Sequence, residues 1–456
     1  MQTNNRPNRV SWRRGRSFAV ATVAILATTA VVWAAAGNLD PTFNNGGVVV
    51  TSGTAGSFGP EVAIQPDGKI VACGAQTVSG ADPTGHARSE WWIRRLNADG
   101  TDDTGFGTGG AVALFGDGAD WARRVAIDAS GGLVVLGKTS SFVVTKRSVS
   151  ATYSLSLARL NPSGALDTSF GSNGVVRVAP PGSSGGSSNP DGALALDDGN
   201  IVVAGVAYFT IDRKGTTRTY PFLARYGAGG ALDTSFGSGG FSVDTRASED
   251  TSWTYAVARQ SSGHYVLAQR RTSVAWVITR YLPSGLVDTN FAPILAPGDY
   301  IGGLSIDGSD RIVATGRNTY ANGQFDVLVR RYSASGVVDG SFGSGGRTLV
   351  HADYNQNCWA DPVFQSDQKV VIGANLVSST GKVVAATFRL DDGGLLDTSY
   401  GAGGIGDRID LFPSGSTGSW VTGASSVGIA PDGRIVLAGG AHGSSWNWML
   451  ARFDAN

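Results

Sequence analysis

The chain has 456 residues, with 36 basic side chains balancing 36 acidic ones, and 66 of its residues are glycine. That balance excludes a nucleic-acid binder built on a concentrated basic face, and no long segment carries the apolar period of a helix. The acidic residues are almost all aspartate, which together with so much glycine is the chemistry of turns between strands.

The first 36 residues stand apart. Arg6, Arg9, Arg13, Arg14 and Arg16 form a basic head without an acid, Phe18 to Trp33 is apolar apart from three threonines, and Ala34-Ala35-Ala36 offers a cleavage site. These are the parts of a secretory signal peptide, so residues 1–36 are expected to be removed and residues 37–456 exported to the periplasm, cell surface or medium. Arg13-Arg14 followed by Phe18 partly resembles a twin-arginine signal, and Sec export fits equally. The alternative is an uncleaved anchor, since Phe18 to Ala36 is nearly long enough to span a bilayer. After cleavage no stable membrane insertion is expected, and 31 basic residues face 36 acids, a charge of about −5.

From Gly37 onward one phrase recurs, an arginine followed eight residues later by an aspartate. The pairs are Arg95/Asp103, Arg159/Asp167, Arg225/Asp233, Arg280/Asp288, Arg331/Asp339 and Arg389/Asp397, with aspartates 63, 64, 66, 55, 51 and 58 residues apart from Asp40 onward. A seventh pair is split between the ends: laid end to end, Arg452 and Asp40 keep the spacing and Gly37 takes the place of Gly164. Ends that complete each other suit a closed ring and not a solenoid, which needs caps.

Within each unit a short strand such as Val62-Ala63-Ile64 leads to a turn, Asp67-Gly68, of the kind that makes two-residue hairpins. A continuous apolar run follows, as in Ile70-Val71-Ala72-Cys73, which means burial on both faces. A third strand carries the arginine and a fourth follows the aspartate. The fold expected is all-β: a single seven-bladed β-propeller, four antiparallel strands per blade, with the N-terminal strand completing the last blade. Each arginine should pin its own outer hairpin to its aspartate, while Phe43, Phe106, Phe170, Phe236, Phe291, Phe342 and Tyr400 pack between blades. Cys73 and Cys358 fall in non-adjacent units and should be free, buried thiols.

In Gln65-Pro66-Asp67-Gly68-Lys69-Ile70-Val71, Leu223-Ala224-Arg225-Tyr226 and Leu232-Asp233-Thr234-Ser235-Phe236-Gly237 the chain resembles the delta-60 repeat family of exported bacterial proteins. The resemblance covers Gly37 to Asn456 and implies a repeat propeller without an assigned activity, so no catalytic residue comes with it. Two places depart from the pattern: Ala292-Pro293 after Phe291 in place of a Gly-rich turn, and Gln269 where other units have glycine.

Function is expected at one mouth of the channel, where loops enter the innermost strands. Phe58, Trp121, Trp253, Tyr300, Trp359 and Trp420 fall there, with Asn189 at the corresponding place in another unit. Such aromatics make a stacking platform for sugars or another flat ligand, or else plug the tops of the blade interfaces. The polar residues that break the symmetry are Asp117, Asp120, Glu249, Asp250, His351, Asp353 and Asp361, and a histidine beside a carboxylate is an acid–base pair in principle. No nucleophile elbow, HExxH, P-loop or dinucleotide fingerprint occurs, nor any cluster with metal-ligand spacing, so no cofactor or metal is expected. The balance is against an enzyme. A monomeric binding module with a carbohydrate or protein partner ranks first, ahead of a structural or adhesive envelope protein and of a glycan-acting enzyme.

Overall fold

The continuous apolar runs become the second strand of each blade, and their side chains are buried on both faces, Ile70 to Cys73 and Ile435 to Ala438 alike. The computed structural model describes residues 35–455 apart from 55–58, 184–191, 247–250, 273–275, 296–298, 352–354, 359, 378, 380–382, 411–423 and 443–445. They form a seven-bladed β-propeller of antiparallel strands.

From the channel outward, blade 1 is Glu61–Ile64, Ile70–Ala81, Ala87–Leu96 and Ala111–Leu114, and blade 2 is Trp121–Ile127, Leu133–Val144, Val149–Leu160 and Val175–Val178. Blade 3 is Ala193–Asp197, Asn200–Thr210, Thr217–Tyr226 and Phe241–Val243, and blade 4 is Thr251–Arg259, Tyr265–Arg271, Val277–Tyr281 and Ile294–Leu295. Blade 5 follows as Asp299–Ile306, Ile312–Thr319, Phe325–Tyr332 and Arg347–Val350. Blade 6 has a split inner strand, Asn355–Asn357 and Val363–Phe364, before Val370–Val377, Val383–Leu390 and Ile409–Asp410. Blade 7 is Ala424–Ile429, Ile435–His442 and Trp446–Phe453, completed by Val48–Thr54 from the other end of the chain.

The expected latch is therefore present. Val48 pairs with Ala451, Gly37 N donates to Asp454 O at 2.8 Å, and Thr54 runs on to pair with Gln76 of blade 1. Gly37 also packs on Tyr400, the contact Gly164 makes with Phe106.

One expectation fails in detail. Gly68 N donates to Gln65 O and Gln65 N to Lys69 O, with only Gly68 at positive φ, so the first hairpin of blade 1 has a three-residue loop ending in a left-handed glycine. Blade 3 has the two-residue turn, with Asp198 and Gly199 both at positive φ.

The apolar core is divided into clusters lying between blades. Val71, Trp91 and Phe106 of blade 1 meet Ala122, Leu133 and Leu160 of blade 2, for example. Each of the seven interfaces has such a cluster. Cys73 and Cys358 are free and buried in two of them, and burial pushes the Cys358 thiol up to about 12.

In six phrases the arginine Nε donates to the aspartate Oδ2 at 2.7–2.8 Å. Arg159 differs. It turns to Asp128, at 2.7 and 3.1 Å, and stays 3.7 Å from Asp167, because an acceptor in its own blade's first turn competes. The pair also does more than pin a hairpin. All seven arginines donate from Nη1 to a carbonyl of the next blade, in ring order Pro162, Ala228, Pro283, Ala334, Asp392, Ala455 and Ala98. Six guanidinium groups lie 4.5–4.8 Å from the buried ring three residues after the aspartate.

Arg452→Met should cost about 1–3 kcal/mol, because Asp40, which is 1% exposed, loses its closer guanidinium and keeps only Arg434, with Nε at 3.3 Å. Denaturant titration measures this, and a loss below about 1 kcal/mol would reduce the contact to a surface pair.

All seven phrase aspartates are held below the usual carboxylate range. In Asp40, Asp103, Asp288 and Asp397 burial pushes upward but hydrogen bonds from the following turn and the basic partners outweigh it. In Asp167, Asp233 and Asp339 the serine hydroxyl two residues on is the leading cause. Asp397 reaches about 2. Unfolded aspartates take up protons first, near pH 4, so stability should fall as pH drops from about 4 to about 2. Denaturation midpoints that stay level across that window would contradict the assignment.

Candidate functional site

The first strands of blades 2, 4 and 5 each carry an aromatic residue at the end where the chain enters. Trp121, Trp253 and Tyr300 occupy these places, and each is the direct cross-strand partner of a cation on the second strand: Lys138, Arg270 and Arg317. The ammonium of Lys138, a buried side chain, lies between the rings of Trp121 and Tyr153, 4.1 and 3.9 Å from their centroids. The Arg270 guanidinium is 4.9 Å from the Trp253 ring and 5.9 Å from that of Tyr300. Arg317 lies 4.8 Å from Tyr300 and 4.2 Å from Phe325. Behind them Trp276, fully buried, packs 4.5 Å from Tyr255 and 4.7 Å from Tyr300, whose hydroxyls are 3.0 Å apart.

Trp253 and Tyr300 thus share Arg270 across the interface of blades 4 and 5, while Trp121 stands in blade 2 with blade 3 between. Phe58, Trp359, Trp420, Asn189, Glu249, Asp250 and Asp353 lie outside the described residues. The cations were missed in the sequence. Their signal is the position after the glycine that closes the second apolar run, Gln269 in blade 4, where Lys138, Arg270 and Arg317 replace the Ala75, Val206 and Gly440 of other blades.

Just inside the mouth the first strands of blades 2, 4 and 5 slip by one residue, at Arg123, Tyr255 and Gly302, and blade 7 does so at Ser425. Such a bulge re-aims the next side chain. Around the ring the position after it reads Glu61, Arg124, Ala193, Ala256, Gly303, Asp361 and Ser426. Ala193, Ala256 and Ser426 face the next blade there. Arg124 crosses to Glu61 Oε2 at 2.8 Å in blade 1, donates to Tyr255 O at 2.7 Å in blade 4 and lies 3.9 Å from Asp361 in blade 6. Burial raises the carboxyls of Glu61 and Asp361 even though Arg124 pulls them down, and Asp361 pushes Glu61 further up.

The other symmetry-breaking acids have local work. Asp120 is buried and accepts from Gly116 N, Gly118 N and Ser140 N, holding its own loop, and Asp117 is exposed. His351 is paired, its Nδ1 2.7 Å from Asp326 Oδ1, while the Tyr320 hydroxyl donates to Asp326 Oδ2 at 2.6 Å. Among the described residues no group of three or more His, Cys, Asp or Glu is placed to hold a metal ion.

Three segments, residues 65–106, 133–170 and 196–236, match a family model described as a domain of unknown function (DUF5122) beta-propeller. They fall on blades 1, 2 and 3. No curated protein matches the sequence. Among solved structures, the chain is similar to a protein of unknown function from Dyadobacter fermentans DSM 18053, at 12% identity and TM-score 0.44, covering 72% of this chain and 95% of that one. It is similar also to Drosophila Semaphorin 2a, at 8% identity and TM-score 0.44, covering 89% and 75%. The NanB sialidase from Streptococcus pneumoniae matches at 10% identity and TM-score 0.41, covering 89% and 70%.

Arg124→Met should destabilise the propeller by about 3–5 kcal/mol at neutral pH, because two enclosed carboxylates lose their shared cation. Their raised affinity for protons sets the sign. Neutral carboxyls tolerate the loss, so the deficit relative to wild type should shrink as pH falls. A deficit that stays constant in parallel denaturant titrations would show that the two carboxyls do not depend on Arg124.

Proposed function

We propose that this chain is an exported, monomeric binding module of the delta-60 repeat type, whose ligand sits at the mouth formed by blades 2, 4 and 5. The observation that carries this reading is the triple recurrence of an aromatic ring paired across strands with a cation, at Trp121/Lys138, Trp253/Arg270 and Tyr300/Arg317. A residue kept only to fill a blade interface needs no charge opposite it, whereas a ring braced by a cation is held in a fixed orientation. Flat rings so held suit the C–H faces of sugars, with polar groups around them to fix the hydroxyls. Export is supported by the basic head and apolar run of residues 1–36.

The test is a glycan-array and polysaccharide pull-down screen on the full chain, with a Trp121→Ala/Trp253→Ala double variant of matched thermal stability alongside. Binding by wild type, reduced at least about tenfold in the variant, is the expected result. Wild type that retains nothing from the array and the polysaccharides would overturn the carbohydrate reading.

A further inference from the structure

The arginines of this protein are, as a rule, neutralised. Most of the half-buried or buried ones on the strands find a carboxylate: Arg124 has Glu61, Arg225 has Asp233, Arg280 has Asp288, Arg330 has Asp299 and Arg389 has Asp397. Arg88 donates to a carbonyl instead, that of Gly116. Arg270 and Arg317 have no carboxylate and come from adjacent blades. Among the described residues neither makes an ion pair with a carboxylate, and both bear on the single ring of Tyr300. The nearest acid on that strand, Asp299, is taken by Arg330.

The pair comes from equivalent positions on the second strands of adjacent blades, opposite Trp253 and Tyr300, so their juxtaposition is a property of the ring geometry. Arg317 Nε is buried without a hydrogen-bond partner, and so is Nε1 of Trp276 behind it. Burial lowers the proton affinity of Arg317, with the charge of Arg270 adding to the effect. Two like charges, partly desolvated and lacking a counter-ion, are costly in a ligand-free protein. A guanidinium stacked on a ring still has its in-plane donors, and that fork matches an oxyanion bidentately.

The same interface is irregular on the opposite face. At the other six interfaces the amide after the buried ring, from Asn44, Gly107, Gly171, Gly237, Gly343 and Gly401, donates to the next blade's turn. All six have φ between 48 and 56°. Ala292 stands at that place in blade 4, does not adopt positive φ and makes no such bond. Blades 4 and 5 are therefore joined without one of the straps that fix the other interfaces.

We propose that Arg270 and Arg317 form a two-guanidinium clamp for an oxyanion carried on a sugar ring, with Trp253 and Tyr300 as the stacking surface, so that the mouth selects acidic over neutral saccharides. The clamp rests on the reading of the mouth as a saccharide site. A carboxylate of a uronic acid is the favoured group, since it is planar like the guanidinium fork; a sulfate ester shares the oxyanion chemistry.

The test is calorimetric titration of the full chain with a galacturonic acid oligomer, its fully methyl-esterified form and a sulfated galactose oligomer. The acidic oligomer should bind at least about tenfold more tightly than the ester, and Arg270→Met or Arg317→Met should weaken it about thirtyfold. Arg317→Lys should weaken it as well, because the charge remains while the fork is lost. Without ligand, Arg317→Met should keep or raise the melting temperature. Binding of the sulfated oligomer alone, lost in the same variants, upholds the clamp and makes sulfate its source. Ester and acid binding equally, both lost in Trp253→Ala, would leave the saccharide mouth standing and remove the clamp. Acid binding untouched by the arginine variants, or a ligand-free Arg317→Met protein that melts several degrees lower with Arg317→Lys unaffected, would overturn the clamp. No binding of any oligomer would overturn both the clamp and the saccharide mouth.

Discussion

Everything in this propeller depends on one arginine repeated seven times. Its guanidinium has five donors in a fixed plane, enough to serve two blades at once. Nε meets the aspartate of its own outer turn, Nη1 meets a carbonyl of the next blade, and the flat face covers the buried aromatic ring between them. Among the described residues no extended hydrogen-bonded ladder joins one blade to the next; there are isolated pairs such as Thr54 with Gln76, where the chain closes, and Ser89 with Ala119. The straps supply the directional contacts that apolar clusters alone do not give. The last strap, from Arg452 to Asp40 and Ala98, joins the two ends of the chain and is made by the same chemistry as five of the other six.

A scaffold this regular makes its exceptions legible. Six interfaces have a left-handed Gly or Asn delivering a second strap, and the seventh, between blades 4 and 5, has Ala292. The same blade carries Gln269 in place of glycine, fully buried, with its carbonyl oxygen lacking a hydrogen-bond partner. Gln269 faces blade 3, on the side of Tyr281 and away from Trp276, which faces blade 5. A buried polar atom without a partner costs about 1–3 kcal/mol, and blade 4 carries several such atoms on its two faces.

The fold was legible because its signals are short-range. Arginine and aspartate eight residues apart, the glycine that closes most second apolar runs and the matching ends could all be read along the chain. What escaped is long-range or depends on backbone detail. Nothing in the phrase shows that Arg95 reaches Pro162, or that Arg159 prefers Asp128 to its own Asp167. The Asp67-Gly68 dipeptide fits either a two-residue or a three-residue hairpin, and only the hydrogen bonds separate them. At the mouth the aromatics were visible as large residues in loops. Their cations required blades to be aligned on the second strand, after which Lys138, Arg270 and Arg317 stand out against Ala75 and Val206. Glu61, Arg124 and Asp361 come from blades 1, 2 and 6 and meet only when the ring has closed.

That channel contact constrains where a ligand can go. Arg124 reaches from blade 2 to blades 1 and 4, held at both sides by Glu61 and Tyr255 O. It follows the slip in the first strand of blade 2, and the corresponding slips of blades 4 and 5 come just after Trp253 and Tyr300. Its positive charge is already spent on two carboxylates whose protons are held more tightly than usual. On the proposed reading, an anionic ligand at the mouth finds Arg270 and Arg317, which have no carboxylate among the described residues, whereas Arg124 is already paired, so charge favours a position across blades 4 and 5.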